Sequence, residues 1–121
     1  MLLDELAFFC GNLHQEKLYR LLKAQMETAL PPFELKVQKT QITFINPKVF
    51  ACVSKRGQEG LILSFGLPDR VVSERISHSV EIRLGRWTMH VRISHEDEID
   101  AQLLSWMTAA CVFSARKQTP V

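Results

Sequence analysis

The sequence has no long apolar run, no Cys-x-x-Cys pair, no glycine-rich loop and little net charge, and each lack removes a class of protein. No stretch approaches the ~20 consecutive apolar residues that a membrane-spanning helix needs. The opening Met1-Leu2-Leu3-Asp4-Glu5 places two acids where a secretory leader has a basic start and an apolar centre. A cytoplasmic protein with no membrane partner is therefore expected. Three cysteines, Cys10, Cys52 and Cys111, are an odd number, and each lies in an apolar setting. That pattern argues against a disulfide framework or a zinc cluster and for reduced, buried thiols. The five glycines stand singly. G-x-S-x-G, the P-loop, G-x-G-x-x-G, H-E-x-x-H and the EF-hand loop are all missing, so no catalytic residue, cofactor or metal site is read from motif.

What is present is the composition of a globular domain. Of 121 residues, 46% are hydrophobic and 23% charged, enough for a core without disulfides or metals. One domain over residues 1–115 is expected, with the polar tail 116–121 (RKQTPV) frayed. Net charge is +2, but its distribution is uneven. Between Glu34 and Ser94 ten Lys/Arg face five Asp/Glu, whereas the rest of the chain has five against eight. The middle of the protein is basic and its ends are acidic, an arrangement that suits an anionic partner.

Hydrophobic spacing divides the chain cleanly. Leu2, Leu3, Leu6 and Phe9 predict a helix closed by Gly11. Asn12 then reads as the N-cap of a second helix over residues 13–29, with Gln15 in capping-box spacing and Pro31-Pro32 as its stop. Period-two patterns follow in residues 34–44, 80–84 and 87–93. Residues 49–54 are apolar and extended, and 61–65 read as a strand largely apolar on both faces that Gly66-Leu67-Pro68-Asp69 breaks. Residues 70–79 carry no clear pattern. Ser94, followed by Glu96, Asp97 and Glu98, predicts the start of a last helix running to about residue 114. The expected fold is α+β: an N-terminal helical hairpin, a mostly antiparallel, curved sheet of five to six strands, and a C-terminal helix packed on one face.

Three segments carry a resemblance. They are Val37-Gln38-Lys39-Thr40-Gln41-Ile42-Thr43-Phe44, Phe50-Ala51-Cys52-Val53-Ser54, and Gly85-Arg86-Trp87-Thr88-Met89-His90-Val91 leading into Glu98-Ile99-Asp100. Together they resemble the bacterial domain-of-unknown-function family 5655, over roughly residues 8–114. Met89 stands where a second histidine is common in that family, which speaks against paired-histidine chemistry here. The family is distantly similar to YdhG-like domains, some described as iron-chaperone-like. The resemblance implies the fold and supplies no reaction.

The polar cluster with most chemistry is Arg86, Thr88, His90 and Arg92, joined by Arg83. Alternation puts Thr88, His90 and Arg92 on one strand face and Trp87, Met89, Val91 and Ile93 on the other, so Trp87 reads as core. Guanidiniums bind carboxylate or phosphate bidentately, and Lys39, Thr40 and Gln41 add donors if the first strand lies nearby. These eight residues form the candidate ligand site, for an anionic small molecule or protein partner. An enzyme using His90 as acid or base with Arg86 or Arg92 is the rival reading, and it requires a carboxylate beside His90. An accessory to a nucleic-acid-handling system is a third, disfavoured by the low net charge. His14 in a helix's first turn, His78 in a loop and His95 at a helix start read as surface residues, and the acids beside His95 as helix-capping groups rather than metal ligands. Phe50, Cys52 and Ile62 fall by alternation on the second sheet face, which suggests a homodimer through that face.

Overall fold

A computed structural model describes residues 3–115. The predicted start of the first helix at Leu2 and the tail from Arg116 lie outside the described residues. The described chain begins with α1 (Leu3–Phe9) and α2 (Leu13–Ala29). Six strands follow: β1 (Glu34–Val37), β2 (Ile42–Ile45), β3 (Val49–Arg56), β4 (Gly60–Leu67), β5 (Ile76–Arg83) and β6 (Arg86–Ile93). A 3-10 turn (Glu96–Glu98) then leads into α3 (Ala101–Ala115). The strands form one fully antiparallel sheet in the order β1-β2-β3-β4-β6-β5. This is the α+β architecture expected, with α3 packed on β3 and β4 and α2 packed on β4 and α3.

The second helix forms over the residues its stripe predicts. The Asn12 carboxamide oxygen accepts from the Gln15 amide at 3.0 Å and caps α2. Leu18, Leu22 and Met26 repeat along one face of α2 and are fully buried. From α3, Leu103, Met107 and Ala110 meet them over the sheet. The sheet supplies the other half of the core through Leu61, Leu63, Phe65, Met89, Val91 and Ile93, with Trp87 half-buried at its edge.

Four local readings are corrected. The last helix does not start at Ser94: the Glu98 carboxylate accepts from the Ser94 and His95 amides, at 2.9 and 3.0 Å, and closes a separate turn. Asp100 then caps α3, accepting from the Leu103 amide at 3.0 Å. Gly66 does not end β4, because it stays paired with Thr88. Phe50 leaves the second face, since the β2–β3 register shifts between Phe44 and Ile45. A bulge breaks strict alternation, and Phe50 is buried beside Phe33 and Phe44, with ring centroids 6.0 and 6.3 Å away. Finally, Cys10 is exposed, because α1 ends at Phe9 and the chain turns outward through left-handed Cys10 and Gly11.

Polar clasps orient the helices over the sheet. The buried Gln15 side chain donates to the carbonyls of Gly57 and Gly60 at 3.0 and 2.9 Å, so it holds the β3–β4 turn rather than closing a capping box. Beside it, the Asn12 amide group donates to the Gln58 carbonyl at 2.7 Å. Glu5, fully buried, accepts from the Tyr19 hydroxyl at 2.6 Å and pairs with Lys23 at 3.2 Å. Burial, and then this carboxylate, push the Tyr19 phenol far above its ordinary range.

Arg75 closes the other end. Its guanidinium donates to the Asp100 carboxylate at 2.8 Å, to Gln102 at 3.1 Å and to the Glu98 carbonyl, and it lies over the Trp106 ring. Arg75 ties the poorly patterned segment before β5 to the start of α3. Arg75→Ala should lower the unfolding free energy by about 1–2 kcal/mol, read as a lower urea midpoint at unchanged slope. The Arg75 hydrogen bond, chief among several causes, holds the Asp100 carboxyl below its ordinary value. That contribution is complete above the ordinary carboxylate pKa and is lost as pH falls through the folded value, so the variant should show a shallower acid limb of stability.

Candidate functional site

The helices cover one face of the sheet, and the other face carries the polar side chains of the same strands. Register determines the rows on this open face. Cys52 lies opposite Ser64, Ser64 opposite His90, and His90 opposite His78, so one row crosses β3, β4, β6 and β5. Thr43 of β2 extends it beyond Cys52. The next row pairs Gly66 with Thr88 and Val80. At the far end, Arg83 and Arg86 face each other across the β5–β6 turn.

The row through His90 is tightly connected. The Ser64 hydroxyl and His90 Nδ1 are 3.1 Å apart, and the His78 and His90 ring centroids are 5.5 Å apart. Burial first, and the charge of His78 second, hold the His90 imidazole below its ordinary pKa. His78 was read as a loop residue; β5 starts at Ile76 and brings it onto the sheet. The groups acting on His90 are therefore a hydroxyl and a second imidazole rather than the carboxylate that the enzyme reading requires. Burial also raises the Cys52 thiol, opposed by a hydrogen bond with Ser64, which leaves it a poor nucleophile.

Arg86 occupies a different position. It lines a hollow of about 150 Å³ with Phe50, Cys52, Ser64, Gly66 and Thr88. A methyl group placed on Gly66 would come within 3.8 Å of the Arg86 Nε and Nη2, so the guanidinium lies across the bare glycine. The Arg86 Nε is buried and has no hydrogen-bond partner among the described residues. A larger depression, about 460 Å³, lies elsewhere, beside Phe33 and Pro47. Glu34 is the one charged side chain lining it, and Asn46 there is already bonded to the Pro32 carbonyl.

The eight candidate residues do not form one site. Arg86 and Arg92 sit six residues apart on β6, roughly 20 Å at the usual strand rise. Lys39, Thr40 and Gln41 form the β1–β2 turn, and β3 and β4 lie between β2 and β6. Three strand spacings, about 14 Å, thus separate that turn from β6. Gln41 there bonds to Gln38 and to the buried Thr43. Arg92 lines a separate hollow with Glu74, Arg75, Ser77 and Glu98. Arg86 and Thr88 share one hollow, while His90 joins Ser64 and His78. Of these groups, Ser64, Gly66 and His78 escaped sequence reasoning; only the β4–β6 and β5–β6 registers identify them.

The sequence profile described as Domain of unknown function (DUF5655) matches residues 11–114. No curated protein and no solved structure matches the chain.

The His90 environment can be tested directly. Proton NMR titration of the histidine rings should give His90 a midpoint below the ordinary histidine value. His78→Ala should raise that midpoint without restoring it fully, since burial remains the larger cause. A group of this kind weakens the fold as pH drops below the unfolded histidine pKa, and the loss levels off below the folded one.

Proposed function

The chain belongs to the family described as Domain of unknown function (DUF5655), a membership that names no reaction, and we propose that it is a binding domain whose open sheet face takes the anionic head group of a small ligand beside Arg86. The observation that carries this reading is the Arg86 Nε, buried without a partner at the wall of the hollow. An unmet buried donor is costly, more so on a charged group, and an acceptor oxygen placed there removes the cost. A carboxylate or phosphate matches the guanidinium fork in shape and charge. The Thr88 hydroxyl lines the same hollow and can add a donor.

Size narrows the ligand. Pockets that enclose a whole drug-sized molecule run to roughly 300–1,000 Å³. The Arg86 hollow, at about 150 Å³, accommodates the head group, with the remainder of the ligand lying along the sheet. Gly66 lets the guanidinium lie across bare backbone, since a methyl group there would meet it in van der Waals contact at 3.8 Å.

Thermal-shift screening with phosphate, sulfate and short mono- and dicarboxylates tests the proposal. A ligand at a hundredfold excess over its Kd adds about 2.7 kcal/mol, several degrees in Tm. Phosphate and sulfate also stabilise proteins generally through exclusion from the surface, so the informative quantity is the difference between wild type and Arg86→Ala. Arg86→Ala should lose the specific shift and Arg86→Lys most of it. Arg92→Ala, roughly 20 Å away, should retain it. Equal stabilisation of wild type and Arg86→Ala by every anion would reject the site.

A further inference from the structure

The anion reading leaves the histidine row unexplained. We propose that His78 and His90 form a two-nitrogen site for a late first-row divalent cation of the zinc or nickel class, at the β5–β6 edge of the open face. The two residues are direct cross-strand partners, next to a register shift between Ile76 and His78. Zinc–imidazole bonds are about 2.0–2.1 Å, and a ring nitrogen lies about 1.1 Å from its ring centre, so two imidazoles on one tetrahedral ion have centroids roughly 5.2 Å apart. The observed separation is 5.5 Å, with the rings inclined at 64°. Chelation therefore needs only a small side-chain adjustment and no backbone movement.

The surroundings fit this use. When His90 Nδ1–H donates to the Ser64 hydroxyl, the Nε2 lone pair is left for the cation, and Ser64 orients the ring as outer-shell partners of ligating histidines do. His78 is exposed and His90 half-buried, so an ion reaches the pair from solvent. No cluster of three or more His, Cys, Asp or Glu suited to a metal occurs among the described residues. The remaining coordination positions therefore fall to water or to an added ligand, the open arrangement of a site that exchanges its contents. Arg92, two residues further along β6, opposes a cation at the pair and lines a separate hollow with Glu74, Arg75, Ser77 and Glu98.

Calorimetric titration with zinc chloride and with nickel chloride decides the matter. The background should be Cys10→Ser, because Cys10 is an exposed thiol able to bind metal by itself. One equivalent is expected to bind, with affinity falling at least about tenfold in His78→Ala and in His90→Ala. Ser64→Ala should weaken binding by about tenfold while both ligands remain. His14→Ala should change nothing. His78 lies on an exposed edge strand, so its variant tests the site without endangering the core. Nickel should also broaden the ring resonances of His78 and His90 ahead of those of His14 and His95. Absence of saturable binding for both metals, or binding undiminished in His78→Ala, would overturn the proposal.

Discussion

Seven consecutive in-register pairs join β4 to β6, from Leu61 opposite Ile93 to Leu67 opposite Trp87. Everything else in the molecule depends on that register. Because side chains alternate at period two, it places Leu63, Phe65, Met89 and Val91 under the helices and Ser64, Gly66, Thr88 and His90 on the other face. A slip of one residue in either strand would exchange its two sets. Each large apolar side chain lost from the core costs about 1.5–3 kcal/mol, so exposing four approaches or exceeds a typical net stability of about 5–15 kcal/mol. Core packing thus enforces the polar register as strictly as the apolar one. The row Cys52–Ser64–His90–His78 follows from hydrophobic burial on the opposite side of the same strands.

The helices do not hold their places by apolar contact alone, since apolar packing sets distance better than direction. Gln15 fixes the start of α2 to the β3–β4 turn by donating to two carbonyls there, of which Gly60's is bonded in a buried position. Arg75 does the corresponding work at the start of α3, where one guanidinium engages a carboxylate, a carboxamide, a carbonyl and an indole ring. Both clasps join segments far apart in sequence. Together they keep α2 and α3 over one face, and the other face of the sheet is left to its own side chains.

The elements were legible in the sequence because they follow local rules. The stripe Leu18, Leu22, Met26 and the alternation Trp87, Met89, Val91, Ile93 each state a period and a buried face. What was illegible depended on partners elsewhere in the chain. Nothing near Phe50 signals a bulge, which arises from how β2 meets β3. The acids after Ser94 read as one helix start, yet Glu98 and Asp100 divide that work between two turns. The stretch before and into β5 had no pattern of its own because β5 is an exposed edge strand, with Val80 and Ile82 open to solvent and no second face to bury. His78 was therefore taken for a loop residue. Met89 is buried under the helices, on the opposite side of β6 from His90, and the histidine facing His90 is His78, across the strand.

Strand geometry also decides how the polar face can act. On β6, Arg86, Thr88, His90 and Arg92 occur at every second residue, a spacing of about 6.6 Å. Two guanidiniums at opposite ends of such a strand cannot close on one small anion, whatever their combined charge. Composition had suggested a single basic patch; the strand resolves it into a guanidinium with a hollow, a hydroxyl, an imidazole with a partner imidazole, and a second guanidinium beside acids. The neighbours on the open face, Cys52, Ser64 and Gly66, are short, so the hollow beside Arg86 stays small, about 150 Å³. An enclosed, water-free catalytic pocket is hard to build on such a surface, whereas recognition of separate groups along the strand is not. That physical difference is the reason a binding role is what we propose for this face.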